Sequence, residues 1–166
     1  MRAPAIVPAC LLAVAIAAAA AAAEEHASLP SDGGTGWRIE CANDGKALDC
    51  RTINRVHQRD TQQLIASVAI RLPRGVKKAF VMIELPLGIQ VAENVTLQVD
   101  DKTPERYPIQ TCTQTGCLVG APATDALIGA LRGGHEVKVA FRSLSSQTVT
   151  VTLPLAGFGL AYDRIK

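Results

Sequence analysis

Thr148-Val149-Thr150-Val151-Thr152-Leu153 alternates hydroxylated and apolar side chains without a break. A period of two puts Val149, Val151 and Leu153 on one face of an extended chain and the threonines on the other. β-Branched side chains at most positions favour that extended backbone. The same alternation recurs in Val95, Leu97 and Val99 against Thr96, Gln98 and Asp100. Leu64, Ala66, Val68, Ile70 and Leu72 form a third such face, and Val137, Val139 and Phe141 a fourth. Residues 80–85 are largely apolar and suit a central strand. Further strands are predicted at 37–42, 48–56, 106–113 and 158–164. Only 124–132 reads as a helix: Thr124 can cap it, Asp125 suits the first turn, Leu127, Ile128 and Leu131 share a face, and Gly133 ends it. Strands at this density, with turns between them and no repeating helix, predict an all-β, antiparallel two-sheet sandwich with one short helix. Leu85-Pro86-Leu87-Gly88 and Leu153-Pro154-Leu155-Ala156-Gly157-Phe158 repeat a phrase in which proline should end a strand.

The chain has 166 residues, 48% hydrophobic and 19% charged, with a formal net charge of +2. That argues for one folded domain and against disorder or a basic nucleic-acid binder. Met1 and Arg2 precede an apolar, alanine-rich run to Ala23, followed by Glu24 and Glu25. This is the pattern of a secretory signal, with cleavage expected after Ala23. The run is long enough to be a retained anchor, but weakly hydrophobic alanines behind a single positive charge favour removal, leaving no transmembrane span. Residues 24–36 carry Pro30, Gly33, Gly34 and Gly36 without periodicity and read as a loose arm before a domain at 37–166. Cys10 falls inside the leader, ahead of most of its apolar run, which excludes a lipoprotein signal. Cys41, Cys50, Cys112 and Cys117 remain, and four cysteines behind an export signal read as two disulfides. Short loops favour Cys41 with Cys50 and Cys112 with Cys117, while crossed pairing stays open. The spacings do not suit zinc or a thioredoxin-like Cys-x-x-Cys.

No reactive constellation is visible. There is no Gly-x-Ser-x-Gly, and Ser143, Ser145 and Ser146 fall in a polar hairpin loop. His57 and His135 lack metal-ligand spacing, and Asp100-Asp101 points to opposite faces of a strand or forms a turn. No cofactor or metal is expected. Trp37, Tyr107, Phe158 and Tyr162 could stack on a sugar but suit the core of an aromatic-poor domain better.

Charge is distributed unevenly. Between Arg51 and Lys78 stand seven cations, Arg51, Arg55, Arg59, Arg71, Arg74, Lys77 and Lys78, against Asp60 alone. If 51–59 is extended, Arg51, Arg55, His57 and Arg59 project from one face. These eight residues are the candidate surface for an anionic lipopolysaccharide, glycan or acidic protein. The competing account is a solvated face whose charges pair with acids on a neighbouring strand.

The leader, Trp37 ahead of Cys41, Cys50, the 83–89 segment with Leu-Pro-Leu-Gly, Tyr107-Pro108 ahead of Cys112, Gly116-Cys117 and the final Leu-Pro-Leu-Ala-Gly-Phe with Ala161 and Tyr162 occur together in this order. The set resembles the invasion-associated locus B family across Trp37 to Lys166. The resemblance implies an immunoglobulin-like sandwich exported by a Gram-negative bacterium to the periplasm, to association with the outer membrane, or to the exterior. It implies a role in host-cell invasion and virulence among pathogenic relatives, and it carries no catalytic residues. The expected function is therefore a non-enzymatic module acting through protein or surface contacts, with a periplasmic small-ligand or glycan binder as the alternative.

Overall fold

The alternating segments pair into two antiparallel sheets. The computed structural model describes residues 36–43, 45 and 48–166, so the expected leader with Cys10, and the arm up to residue 35, lie outside the described residues. Ten strands and two helices follow in order: β1 (Arg38–Asn43), β2 (Leu48–His57), β3 (Leu64–Arg71), β4 (Phe80–Leu85), β5 (Val95–Val99), β6 (Glu105–Tyr107), β7 (Thr111–Thr113), β8 (Gly116–Pro122), α1 (Asp125–Gly133), β9 (Glu136–Arg142), β10 (Thr148–Pro154) and α2 (Phe158–Asp163). One sheet has six strands in the order β1-β2-β3-β4-β8-β7, the other four in the order β10-β9-β5-β6.

Their facing sides make one core. Val68, Ile70, Val81, Ile83 and Val119 from the larger sheet join Val95, Leu97, Val99, Val137, Val139, Val151 and Leu153 from the smaller. Each fully buried side chain of this kind contributes roughly 1.5 to 3 kcal/mol by leaving water. Helix α1 links the sheets and adds Leu127, Ile128 and Leu131 to the core. The Thr124 hydroxyl accepts from the Leu127 amide at 3.0 Å, capping that helix as its sequence predicts. The result is an all-β antiparallel sandwich.

Three elements depart from the predicted pattern. The expected strand at 106–113 is two strands in different sheets, because Pro108 has no amide to continue a ladder and the chain crosses over after Tyr107. A strand at 116–122 was masked by Gly116, Gly120 and Pro122, although Cys117 and Val119 point inward in strict alternation. Gly116 has φ +148°, and a Cβ there would lie 2.4 Å from the Leu85 carbonyl oxygen, so packing against β4 requires glycine.

The predicted strand at 158–164 is instead a second helix, α2. Gly157 at φ +85° turns the chain out of its extended course. Phe158, Ala161, Tyr162 and Ile165, all buried, recur at the three-to-four spacing of a helix rather than every second residue. Phe158 is completely buried, with its ring centroid 4.7 Å from Trp37 at 74° and 5.7 Å from Tyr162 in a stacked arrangement. The Trp37 indole donates to the Pro154 carbonyl at 2.9 Å. These aromatics close the sandwich near β2 and β10 and offer no platform for a sugar.

Candidate functional site

The eight candidate residues separate into three places. Cross-strand register aligns Glu40, Arg51 and Arg71 in one row over β1, β2 and β3, on the side of the larger sheet facing away from the core. Arg55 lies on the same side of β2. Arg55 grips both oxygens of the Glu40 carboxylate, and Arg51 donates to Glu40 Oε2 at 3.0 Å. Arg38 approaches the same carboxylate at 3.4 Å. Arg71 pairs with Asp49 at 2.6 Å. Hydrogen bonding from Arg55 lowers the Glu40 carboxyl from 4.5 to about 2, against partial desolvation and with help from Arg51. Ile53 and Ala69 share this side yet are closed to solvent, as expected where arginine stems lie across a sheet. Arg51, Arg55 and Arg71 are therefore engaged by acids on neighbouring strands.

His57 and Arg59 lie at one end of this sheet. A register shift between Val56 and His57 interrupts the alternation, and Arg59 sits in the turn that follows, so these two do not extend the row of Arg51 and Arg55. Arg74, Lys77 and Lys78 lie at the opposite end of β3, in the exposed loop to β4. Among the described residues none of these three makes a salt bridge.

Beside that loop runs a groove of about 340 Å³ whose lining includes Leu48, Leu72, Arg74, Val76, Arg164 and Lys166. Leu48 and Val76 are exposed apolar side chains, 51% and 45% accessible. Arg164 and Lys166 were not singled out from sequence. They stand more than eighty positions from Arg74 along the chain, and only the helical turn at 158–163 brings the C-terminal segment back to β2.

The cysteines join as Cys41–Cys50 and Cys112–Cys117. Each pair occupies directly opposed positions in an antiparallel ladder, with Cα atoms 4.0 and 3.9 Å apart. The first bridge borders the groove through Cys50.

A second depression of about 430 Å³ is lined by Asp100, Asp101, His135, Glu136, Thr152 and Pro154. Two of its three acids, Asp100 and Glu136, are occupied by the fold. Asp100, at φ +48°, accepts the His135 and Glu136 amides at 3.0 Å each, tying the end of β5 to the start of β9. Those amides, Glu136 first, hold its carboxyl below the usual range. Lys138 pairs with Glu136 at 2.8 Å. Asp100 acts here as a turn residue tolerant of positive φ, a role its sequence neighbourhood left undecided. Among the described residues no group of three or more potential metal ligands converges. No described helix is long and apolar enough to cross a membrane.

Comparison with known proteins adds the family context. A family model described as invasion associated locus B protein matches residues 37–166. An invasion protein B homolog of Brucella abortus is 29% identical, with 84% of each chain covered. Invasion protein B of Bartonella bacilliformis is 26% identical, covering 78% of this chain and 70% of its own. The crystal structure of invasion associated protein B from Bartonella henselae superposes with a TM-score of 0.69 at 25% identity, over 78% of this chain and 89% of that one. These relatives are named as invasion proteins and not as enzymes.

Proposed function

Because the chain belongs to the invasion-associated locus B family, we propose that it is an exported, non-enzymatic module of the envelope or extracellular space that works through contacts with an anionic surface or protein. The observation that carries this reading is the sorting of the cations. Arg51, Arg55 and Arg71 are engaged within the sheet, whereas Arg74, Lys77 and Lys78 are exposed in the loop after β3; Arg74 lines the groove with Arg164 and with Lys166, which pairs with Asp163 at 3.8 Å. Unneutralised cations gathered on one loop steer and hold an anionic partner more effectively than the same number spread over paired positions. Two disulfides suit an oxidising compartment such as the periplasm or the exterior.

Affinity capture by the oxidised protein from envelope extract and from host-cell surface extract tests this directly. Capture of one dominant partner, released by high salt and lost in an Arg74→Glu/Lys77→Glu/Lys78→Glu variant, supports the reading. Capture indifferent to those substitutions, or no capture at low salt, overturns it.

The groove supports a second reading, a small-ligand module. Its cations stand beside Leu48, Leu72 and Val76, a combination suited to an anionic amphiphile. A rise in Tm with a long-chain phosphate ester, absent with inorganic phosphate, would favour that ligand class.

A further inference from the structure

Strand β10 is an edge strand of the smaller sheet, paired on one side with β9. The hydrogen-bond phase fixes which of its backbone groups remain. The Leu155 amide donates to the His135 carbonyl, and the Ser143 amide donates to the Gln147 carbonyl. These bonds place odd-numbered residues of this arm toward β9. The amides and carbonyls of Thr148, Thr150 and Thr152 therefore point away from the sheet. Position 154 follows the same phase. Proline has no amide to leave unpaired there, and its carbonyl receives the Trp37 indole and the Asn54 side chain. Among the described residues, no strand other than β9 pairs with the stretch from 148 to 152.

The other edges differ. β1 carries Arg38, Glu40 and a disulfide, β7 has three residues and a disulfide, and β6 has three residues that include Glu105 and Arg106. Short strands and charges are the usual means of keeping sheet edges from pairing. β10 has seven residues, none charged, and its threonines are exposed.

Thr148-Val149-Thr150-Val151-Thr152 also reads the same in both directions. An antiparallel copy centred on Thr150 sets Thr148 opposite Thr152, Val149 opposite Val151, and Thr150 opposite itself. All three outward-facing threonines then fall at hydrogen-bonded positions, and no charge within the strand meets its like. A C2 contact requires a surface that complements itself in this way. We infer that β10 is a homodimerisation edge at which two copies of the chain pair antiparallel about Thr150, joining their four-stranded sheets into one of eight strands.

The contact area of two five-residue segments lies at the low end for specific association, so the dimer should be concentration-dependent. Light scattering on oxidised protein from cells expressing the full chain, from about 10 μM to about 1 mM, should show the mass rising toward twice the monomer. Thr150→Pro removes an amide that β9 does not use, leaving the fold intact by circular dichroism, and should weaken the dimer at least about tenfold. Thr150→Lys sets like charges across the axis and should weaken it about fivefold, with recovery on mixing equal amounts of Thr150→Lys and Thr150→Glu. A monomeric mass throughout that range, or a dimer that Thr150→Pro and Thr150→Lys leave unchanged, overturns the inference.

Discussion

Both edges of the six-stranded sheet are covalently stitched, and neither edge of the four-stranded sheet is. Cys41–Cys50 ties β1 to β2, and Cys112–Cys117 ties β7 to β8, in each case joining an edge strand to its only neighbour. The larger sheet also carries the ion pairs of Glu40 and Asp49. The smaller sheet is held by burial: Val95, Leu97, Val99, Val137, Val139 and Leu153 are each at most 3% exposed. Both sheets press apolar faces into the one core, and the larger sheet has in addition the cross-links at its two edges. A consequence is that the edges of the larger sheet should respond to reduction, and those of the smaller should not.

The largest expected effect strikes both sheets at once. Phe158→Ala removes the buried ring between Trp37 and Tyr162 where α2 closes the sandwich and should cost about 3 to 5 kcal/mol by denaturant titration. Gly116→Ala should follow at about 3 kcal/mol, since the new Cβ meets the Leu85 carbonyl and the backbone loses its positive φ. Replacing either cysteine pair by alanine should cost about 2 to 3 kcal/mol. The Cys41–Cys50 pair, separated by 9 residues, should cost slightly more than the Cys112–Cys117 pair, separated by 5. Amide exchange should then rise in β1 or β7, with β5 and β9 unchanged.

Acid loosens each sheet at a particular carboxylate, Glu40 in the larger and Asp100 in the smaller. The folded Glu40 carboxyl titrates near 2 and its ordinary value is 4.5. Its contribution is therefore present in full above about pH 5 and is lost as pH falls through 2. With a third of the side chain exposed, solvent screening reduces that contribution to about 1 to 2 kcal/mol. Glu40→Gln should lower stability by that amount at pH 7 and flatten the decline between pH 4.5 and 2. The smallest effect has the opposite sign. Thr52 is fully buried, and its hydroxyl finds no partner among the described residues. Thr52→Val should raise stability by about 1 kcal/mol, seen as a higher Tm.

The fold class was legible because its core strands are amphipathic at period two, and strands such as β5, β9 and β10 need no other information. What failed to show in sequence depended on glycine and proline in a tertiary setting. β8 is hidden by Gly116 and Gly120, both of which face close neighbours, Leu85 and Gln110. α2 is hidden because Leu-Pro-Leu-Ala-Gly-Phe continues a strand-like phrase, and only the positive φ of Gly157 redirects it. The candidate surface was legible as charge and illegible as geometry. Seven cations lie within 28 positions of sequence, but β-pairing turns Arg51 and Arg55 toward Glu40 and Arg71 toward Asp49, contacts no local pattern specifies. Arg164 and Lys166 come from the far end of the chain.

The central claim is that contact is made by the unneutralised basic end and not by the paired arginines of the sheet. The most direct test measures capture of the anionic partner against salt concentration for the native protein, for Arg74→Glu/Lys77→Glu/Lys78→Glu and for Arg51→Gln. The account predicts that the triple variant loses capture and its salt dependence while Arg51→Gln matches the native protein, with both variants folded. Equal capture by the triple variant and loss in Arg51→Gln would contradict it.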